Sequence, residues 1–111
     1  MITFRILGSV KVDETGVGLP GLFVKAFDKD ILFDDFLGST HTKKNGYFEI
    51  ICEPDGFRDF FEVKPDIYLK IYTADKGKLL FTTERSVRWQ AGRLQKFDVR
   101  IPRNLLGRLV H

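Results

Sequence analysis

The sequence predicts an all-β fold, an antiparallel Greek-key β-sandwich of about seven strands with one short helix. Three observations carry that expectation. Apolar and polar residues alternate in a succession of short runs. Clusters of Gly, Pro, Asn and Asp divide those runs every 8–12 residues or so. Only one stretch has helical spacing, whereas a parallel sheet needs repeated helical crossovers.

The first strand is expected over Ile2 to Lys11, with Ile2, Phe4 and Ile6 opposing Thr3 and Arg5. The polar, glycine-bearing run from Val12 to Gly18 ends it. Pro20-Gly21 leads into the second strand, Leu22 to Asp28, where Leu22, Val24 and Ala26 alternate with Phe23, Lys25 and Phe27. Bulk on both faces predicts an inner strand covered on each side. Asp28 to Phe36 reads as an acidic loop, and Leu37 to Thr42 as a short third strand. Asn45-Gly46 then signals a hairpin into the fourth strand, Tyr47 to Cys52, with Phe48, Ile50 and Cys52 on one face.

Pro54-Asp55-Gly56 breaks the alternation. Phe57, Phe60 and Phe61 recur at i, i+3 and i+4, with Asp55 as a cap and Pro65 as a stop, which predicts the helix near 56–63. Ile67 to Thr73 is the clearest strand, with Ile67, Leu69 and Ile71 facing away from Tyr68, Lys70 and Tyr72. Asp75 to Lys78 is a second hairpin turn, and Leu79 to Glu84 its returning strand. Ser86 to Arg93 is a loop holding the only tryptophan, Trp89. Leu94 to Pro102 is the last strand, with Phe97, Val99 and Ile101 inward. One domain is expected over residues 1–103 and a tail over 104–111.

A chain of 111 residues suits one domain, which buries roughly two thirds of its unfolded surface. Eleven phenylalanines supply volume for an interior between two sheets. Hydrophobic content of 43% and charged content of 30% are those of a globular protein rather than a disordered one. The net charge of +3 comes from interleaved signs, with a late basic bias at Arg85, Arg88, Arg93, Lys96, Arg100, Arg103 and Arg108. Nucleic-acid binding would concentrate such charge on one face. A solvated rim is the plainer reading, and no nucleic-acid partner is expected. The single cysteine, Cys52, excludes an intrachain disulfide, lies in an apolar run and is expected as a buried thiol. No apolar run approaches a membrane span. No basic segment followed by an apolar stretch opens the chain, so no signal peptide is expected and the cytoplasm is the default compartment.

The run Gly21-Leu22-Phe23-Val24-Lys25-Ala26-Phe27-Asp28-Lys29-Asp30, followed by Leu37-Gly38 and then Thr42 to Phe48, resembles the transthyretin-like and carboxypeptidase-regulatory-like domains. Pro65-Asp66-Ile67-Tyr68-Leu69 matches a later piece of the same pattern, and Thr83 to Trp89 looks like a signature of bacterial members. The resemblance runs from Ile2 to about Pro102. It implies a prealbumin-like sandwich acting as a non-catalytic accessory module for protein–protein contact, assembly or self-association. The same fold hosts hydroxyisourate hydrolases, which depend on paired histidines, an arginine and a C-terminal Tyr-Arg-Gly-Ser. This chain has only His41 and His111 and ends Gly-Arg-Leu-Val-His, which argues against that activity.

Asp28, Asp30, Asp34 and Asp35 fall within eight residues, and Asp66 approaches them if the sandwich closes as expected. Calcium takes six to eight oxygens, several from carboxylates on a flexible loop. These five are therefore the candidate metal ligands. The plainer reading is an Asp-rich turn neutralised by Lys29, Lys43, Lys44 and backbone amides. Trp89, Tyr68 and Tyr72 form a candidate aromatic platform for a protein partner or a carbohydrate, although Trp89 can equally plug one end of the sandwich. Ser39 and His41 sit at i and i+2, but no third group and no Gly-x-Ser-x-Gly elbow accompanies them. No catalytic residue is assigned.

Overall fold

Seven strands form among the described residues, in the order the alternation dictates: β1 (Phe4–Val12), β2 (Phe23–Asp28), β3 (Asp35–His41), β4 (Tyr47–Cys52), β5 (Ile67–Tyr72), β6 (Leu79–Thr82) and β7 (Leu94–Ile101). The computed structural model describes residues 4–30, 32–52, 66–88, 92 and 94–107. The helix predicted near 56–63, with Phe57, Phe60 and Phe61, lies outside them.

The strands make two sheets, one of order β4-β1-β7 and one of order β3-β2-β5-β6. Period-two alternation puts one face of every strand between them. Ile6, Val10, Val24, Ala26, Phe48, Ile67, Leu69, Ile71 and Ile101 are all sealed from solvent there. Each valine, leucine, isoleucine or phenylalanine among them contributes about 1.5–3 kcal/mol on burial. The interior differs from the sequence expectation in its make-up. Among the described residues, Phe48 and Phe97 are the phenylalanines of the buried cluster, with Phe4 and Phe81 packed against it. Isoleucine, valine and leucine make up most of the rest, with Ala26 and Cys52, and the β-branched ones among them suit the pleated inner faces.

Two further expectations are corrected and a third gains detail. The sandwich is not wholly antiparallel: β1 and β7, the first and last strands, pair in parallel from Arg5↔Leu94 to Val12↔Ile101. The whole intervening chain serves as their crossover, so no helix between them is required. Asn45-Gly46 turns the chain, but β3 and β4 lie in different sheets and form no ladder with each other. The turn is an arch between layers, closed by Lys43 N–H to Tyr47 O at 2.7 Å and Gly46 N–H to Lys43 O at 2.8 Å. Gly46 has φ 84°, and a Cβ there would meet Val10 O at 2.4 Å, so glycine alone fits. Finally, the predicted tail begins inside a helical turn, α1 (Arg103–Leu106), whose Leu106 is buried in the core and which touches β6.

The second hairpin stands as predicted. β5 and β6 pair antiparallel across a turn in which Thr73 N–H bonds Lys78 O and Asp75 Oδ1 accepts from Gly77 N–H. On the other side of the same sheet, the register of β2 on β3 shifts between Ala26 and Phe27. Gly38 opposes Ala26 and Phe36 opposes Phe27, so Leu37 is the extra residue and turns into the core while Phe36 faces out.

Candidate functional site

The β2–β3 loop and the start of β5 meet at one end of the sandwich, where the protein's own donors hold the Asp28 and Asp34 carboxylates. Asp28 closes β2, is only 6% exposed, and accepts the Asp66 N–H at 2.7 Å. Lys29 N–H bonds Asp66 O at 2.8 Å, which locks the two segments together. Burial raises the Asp28 carboxyl from 3.8 to about 6, against the Asp66 hydrogen bond and with help from the charges of Asp66, Asp35 and Asp30. Asp34 accepts from Asp30 N–H at 3.0 Å and from the Tyr68 hydroxyl, and those bonds, the backbone one first, hold its carboxyl below the usual range. Lys29 bonds Glu84 and lies 3.9 Å from Asp34. Asp35 opens β3 opposite Asp28. Among the described residues, no group of three or more His, Cys, Asp or Glu is arranged to hold a metal ion.

The aromatic candidates separate. Trp89 lies outside the described residues, as does His111. Tyr68 is 1% exposed, its hydroxyl committed to Asp34, so it is not a contact surface. Tyr72 is half-buried on the outer face of the four-stranded sheet. His41 places Nε2 3.2 Å from Ala74 O and its ring 4.9 Å from that of Phe23. Among the described residues no hydrogen bond joins it to Ser39, so the pair does not form a nucleophile–base dyad.

The outer face of that sheet holds what single-strand reading missed. β2 reads Phe23-x-Lys25-x-Phe27 and β5 reads Tyr68-x-Lys70-x-Tyr72. Antiparallel pairing sets Phe23 against Tyr72, Lys25 against Lys70 and Phe27 against Tyr68. Phe27 stacks on Tyr68 at 5.5 Å, and Phe36 adds an edge contact at 5.9 Å. The ammonium of Lys25 lies 5.3 Å from the Tyr72 ring centre, and that of Lys70 lies 5.2 Å from the Phe27 ring centre. A row of two lysines thus runs between two aromatic rows. The signal was the aromatic-x-Lys-x-aromatic pattern occurring twice, which carries meaning only once the register is known.

No family model matches the chain, and no curated protein matches it significantly. Among solved structures, it is similar to part of a 9R-lipoxygenase from Cyanothece PCC8801, with a TM-score of 0.65 and 19% identity. The match covers 87% of this chain and 16% of that one. At that identity the likeness shows the fold alone.

Two further features frame the site. The β2–β3 loop projects large apolar side chains into solvent: Leu32 is 82% exposed, Phe33 80% and, at the start of β3, Phe36 53%. Between β6 and α1 runs an open groove of about 370 Å³ lined by Leu79, Leu80, Phe81, Thr82, Arg85 and Leu105. Two of the late basic residues have partners within the chain. Arg88 packs its guanidinium 3.9 Å from the Phe97 ring centre, where burial lowers its pKa, and Arg100 bonds Asp98.

Proposed function

We propose that the chain is a non-catalytic, transthyretin-like interaction module that docks a protein partner through its β2–β3 loop. One observation carries this reading. Leu32 and Phe33 stand out at the loop tip, while the base of the loop is tied down by Asp34 to Asp30 N–H and Tyr68 and by Lys29 to Glu84. Large apolar side chains held out from an anchored base are the make-up of an interface anchor, since leaving them wet forfeits about 1.5–3 kcal/mol each that a partner's pocket recovers. The family resemblance supports the reading. Its quoted pieces fall on β2, β3, the arch before β4 and the start of β5, the segments that build this end of the sandwich. The carboxylates at the loop base are occupied by hydrogen bonds, which supports a structural role for them.

The test is quantitative affinity capture from the source cell with the native chain and the double variant Leu32→Ser/Phe33→Ser. Proteins retained by the native chain and lost by an equally stable variant support the reading. Identical protein sets from the two baits refute it.

A further inference from the structure

We propose that the outer face of the β3-β2-β5-β6 sheet binds an extended acidic segment of a protein partner, with Lys25 and Lys70 as the central contact. The inference names the partner chemistry of the interaction module above and rests on that reading.

Lys25 and Lys70 are register partners on the two inner strands of the sheet. Directly opposed residues bring their Cβ atoms to about 4.5–5.5 Å, and like charges so placed destabilise a sheet. Their outer cross-strand neighbours are Ser39 and Thr82, which carry no charge. Ion pairs among the described residues involve Arg5, Lys11, Lys29 and Arg100, and none reaches Lys25 or Lys70. Lys29, on the same side of the sheet, shows the contrast, for it is neutralised by Glu84 and Asp34. What holds the opposed pair in place is the ring faces of Tyr72, Phe23 and Phe27. The Lys25 ammonium leans toward Tyr72 and Phe23 and the Lys70 ammonium toward Phe27, so the two charges are held apart along the strands. Among the described residues neither is in an ion pair, although Asp34 feels the charge of Lys70, and such spacing favours an extended anion bearing more than one negative group. Lys76 extends the positive field, its ammonium 4.7 Å from the Phe23 ring centre.

The rings decide between two kinds of polyanion. Single-stranded nucleic acid binds by laying bases on bare aromatic faces. Here Tyr68 is fully buried, Phe23 is 7% exposed, and Phe27 is stacked on Tyr68 with the Lys70 ammonium beside it. Tyr72 and Phe27 are the half-buried rings of these strands, and the Lys25 and Lys70 ammonium groups lie over them. An extended peptide needs no bare ring face, because carboxylates at i and i+2 fall on one side about 6.5–7 Å apart and can reach successive lysines.

The experiment is calorimetric titration of the intact chain with a short poly-glutamate peptide at low and high salt, beside the same titration with oligo-deoxythymidine. The native chain is expected to bind poly-glutamate, more weakly as salt rises. Lys25→Gln/Lys70→Gln is expected to lose roughly tenfold or more in affinity while its melting temperature stays level or rises, since opposed like charges are gone. Lys25→Arg/Lys70→Arg is expected to keep binding. No binding by the native chain, equal binding by the Gln variant, or tighter binding of the DNA at matched salt overturns the inference. Partner capture that depends on Leu32 and Phe33 but survives Lys25→Gln/Lys70→Gln overturns it too, and leaves the docking loop standing.

Discussion

Replacing Asp28 by Asn is expected to stabilise the fold at neutral pH and to leave it unchanged near pH 4. Asp28 is a carboxylate kept almost wholly out of water at the end of β2, with the Asp66 N–H donating to its Oδ1. Its carboxyl is held at about 6 in the fold, against 3.8 when free, with desolvation the largest cause. Between those two values the folded state binds more protons than the unfolded one. Stability linked to this group is therefore greatest below about pH 4, falls as pH rises, and has gone by the time pH passes 6. The whole excursion is worth about 3 kcal/mol. Asparagine keeps the size and the acceptor oxygen for Asp66 and carries no charge to desolvate. Other carboxylates act in the opposite sense. Asp34 and Asp75, whose values are lowered by hydrogen bonds, contribute stability at neutral pH that is lost on acidification. The informative quantity is therefore the difference between native and Asp28→Asn proteins, from urea unfolding followed by circular dichroism at intervals between pH 4 and 7.5. A gain for the variant that grows with pH to a few kcal/mol is expected. A difference that stays flat across that range refutes the reasoning, because the carboxylate would then carry no desolvation cost.

Four other outcomes follow from particular contacts. Gly46→Ala is expected to cost several times more stability than Gly16→Ala in thermal melts: both have positive φ, but a Cβ at 46 strikes Val10 O at 2.4 Å, whereas at 16 it meets nothing within 4 Å. Thr42→Val should lose about 2–3 kcal/mol in denaturant unfolding, since the buried Thr42 hydroxyl donates to Leu19 O at 2.6 Å and accepts Leu22 N–H at 3.0 Å, and valine orphans both. Cys52, sealed in the core with its thiol pushed up to about 11, should resist a disulfide reagent at pH 8 until denaturant is added; rapid labelling of the folded chain would contradict this burial. Millimolar calcium should leave the melting temperature unchanged, as Asp28 and Asp34 are already served by protein donors; a rise reversed by chelator would restore the metal reading.

The strands were legible because each buries one face. Ile67, Leu69 and Ile71 alternate with Tyr68, Lys70 and Tyr72, and no other period fits that run. Pairing was less legible. Asn45-Gly46 specifies a tight reversal, but a reversal closes a hairpin only if the flanking strands share a sheet, and that depends on which partners β1 and β2 take from distant sequence. The parallel contact of β1 with β7 is set by chain ends about ninety residues apart, beyond any local signal. At the candidate site, the acidic loop was found from composition, but its hydrogen bonds were not, since Asp34 meets Tyr68 only through the packing of β2 on β5. The phenylalanines misled because hydrophobicity says that a side chain is covered, not what covers it. Phe23 is buried on the outer face, with the ammonium groups of Lys25 and Lys76 within 6 Å of its ring.

The state of the sheet edges bears on how such a module meets its partner. Four strands end the two sheets: β4 and β7 in one, β3 and β6 in the other. An incoming strand needs a flat, unobstructed run of backbone groups. β6 is only four residues long, its pairing with β5 is irregular between Ile71 and Tyr72, and α1 packs against it. β3 carries a bulge and opens with a charged Asp35. β7 alternates outward Lys96, Asp98 and Arg100, and β4 presents Glu49 bonded to Arg5 of β1. Each edge thus bears a feature that discourages strand addition, including strand addition by a second copy. Among the described residues, the anchored loop and the lysine-bearing face carry no such obstruction, and they adjoin through Phe36, which follows the loop and pairs across to Phe27. A partner that seats an apolar pocket over Leu32 and Phe33 would therefore lay its flanking chain along β2 and β5, where the opposed lysines would favour acidic residues over basic ones.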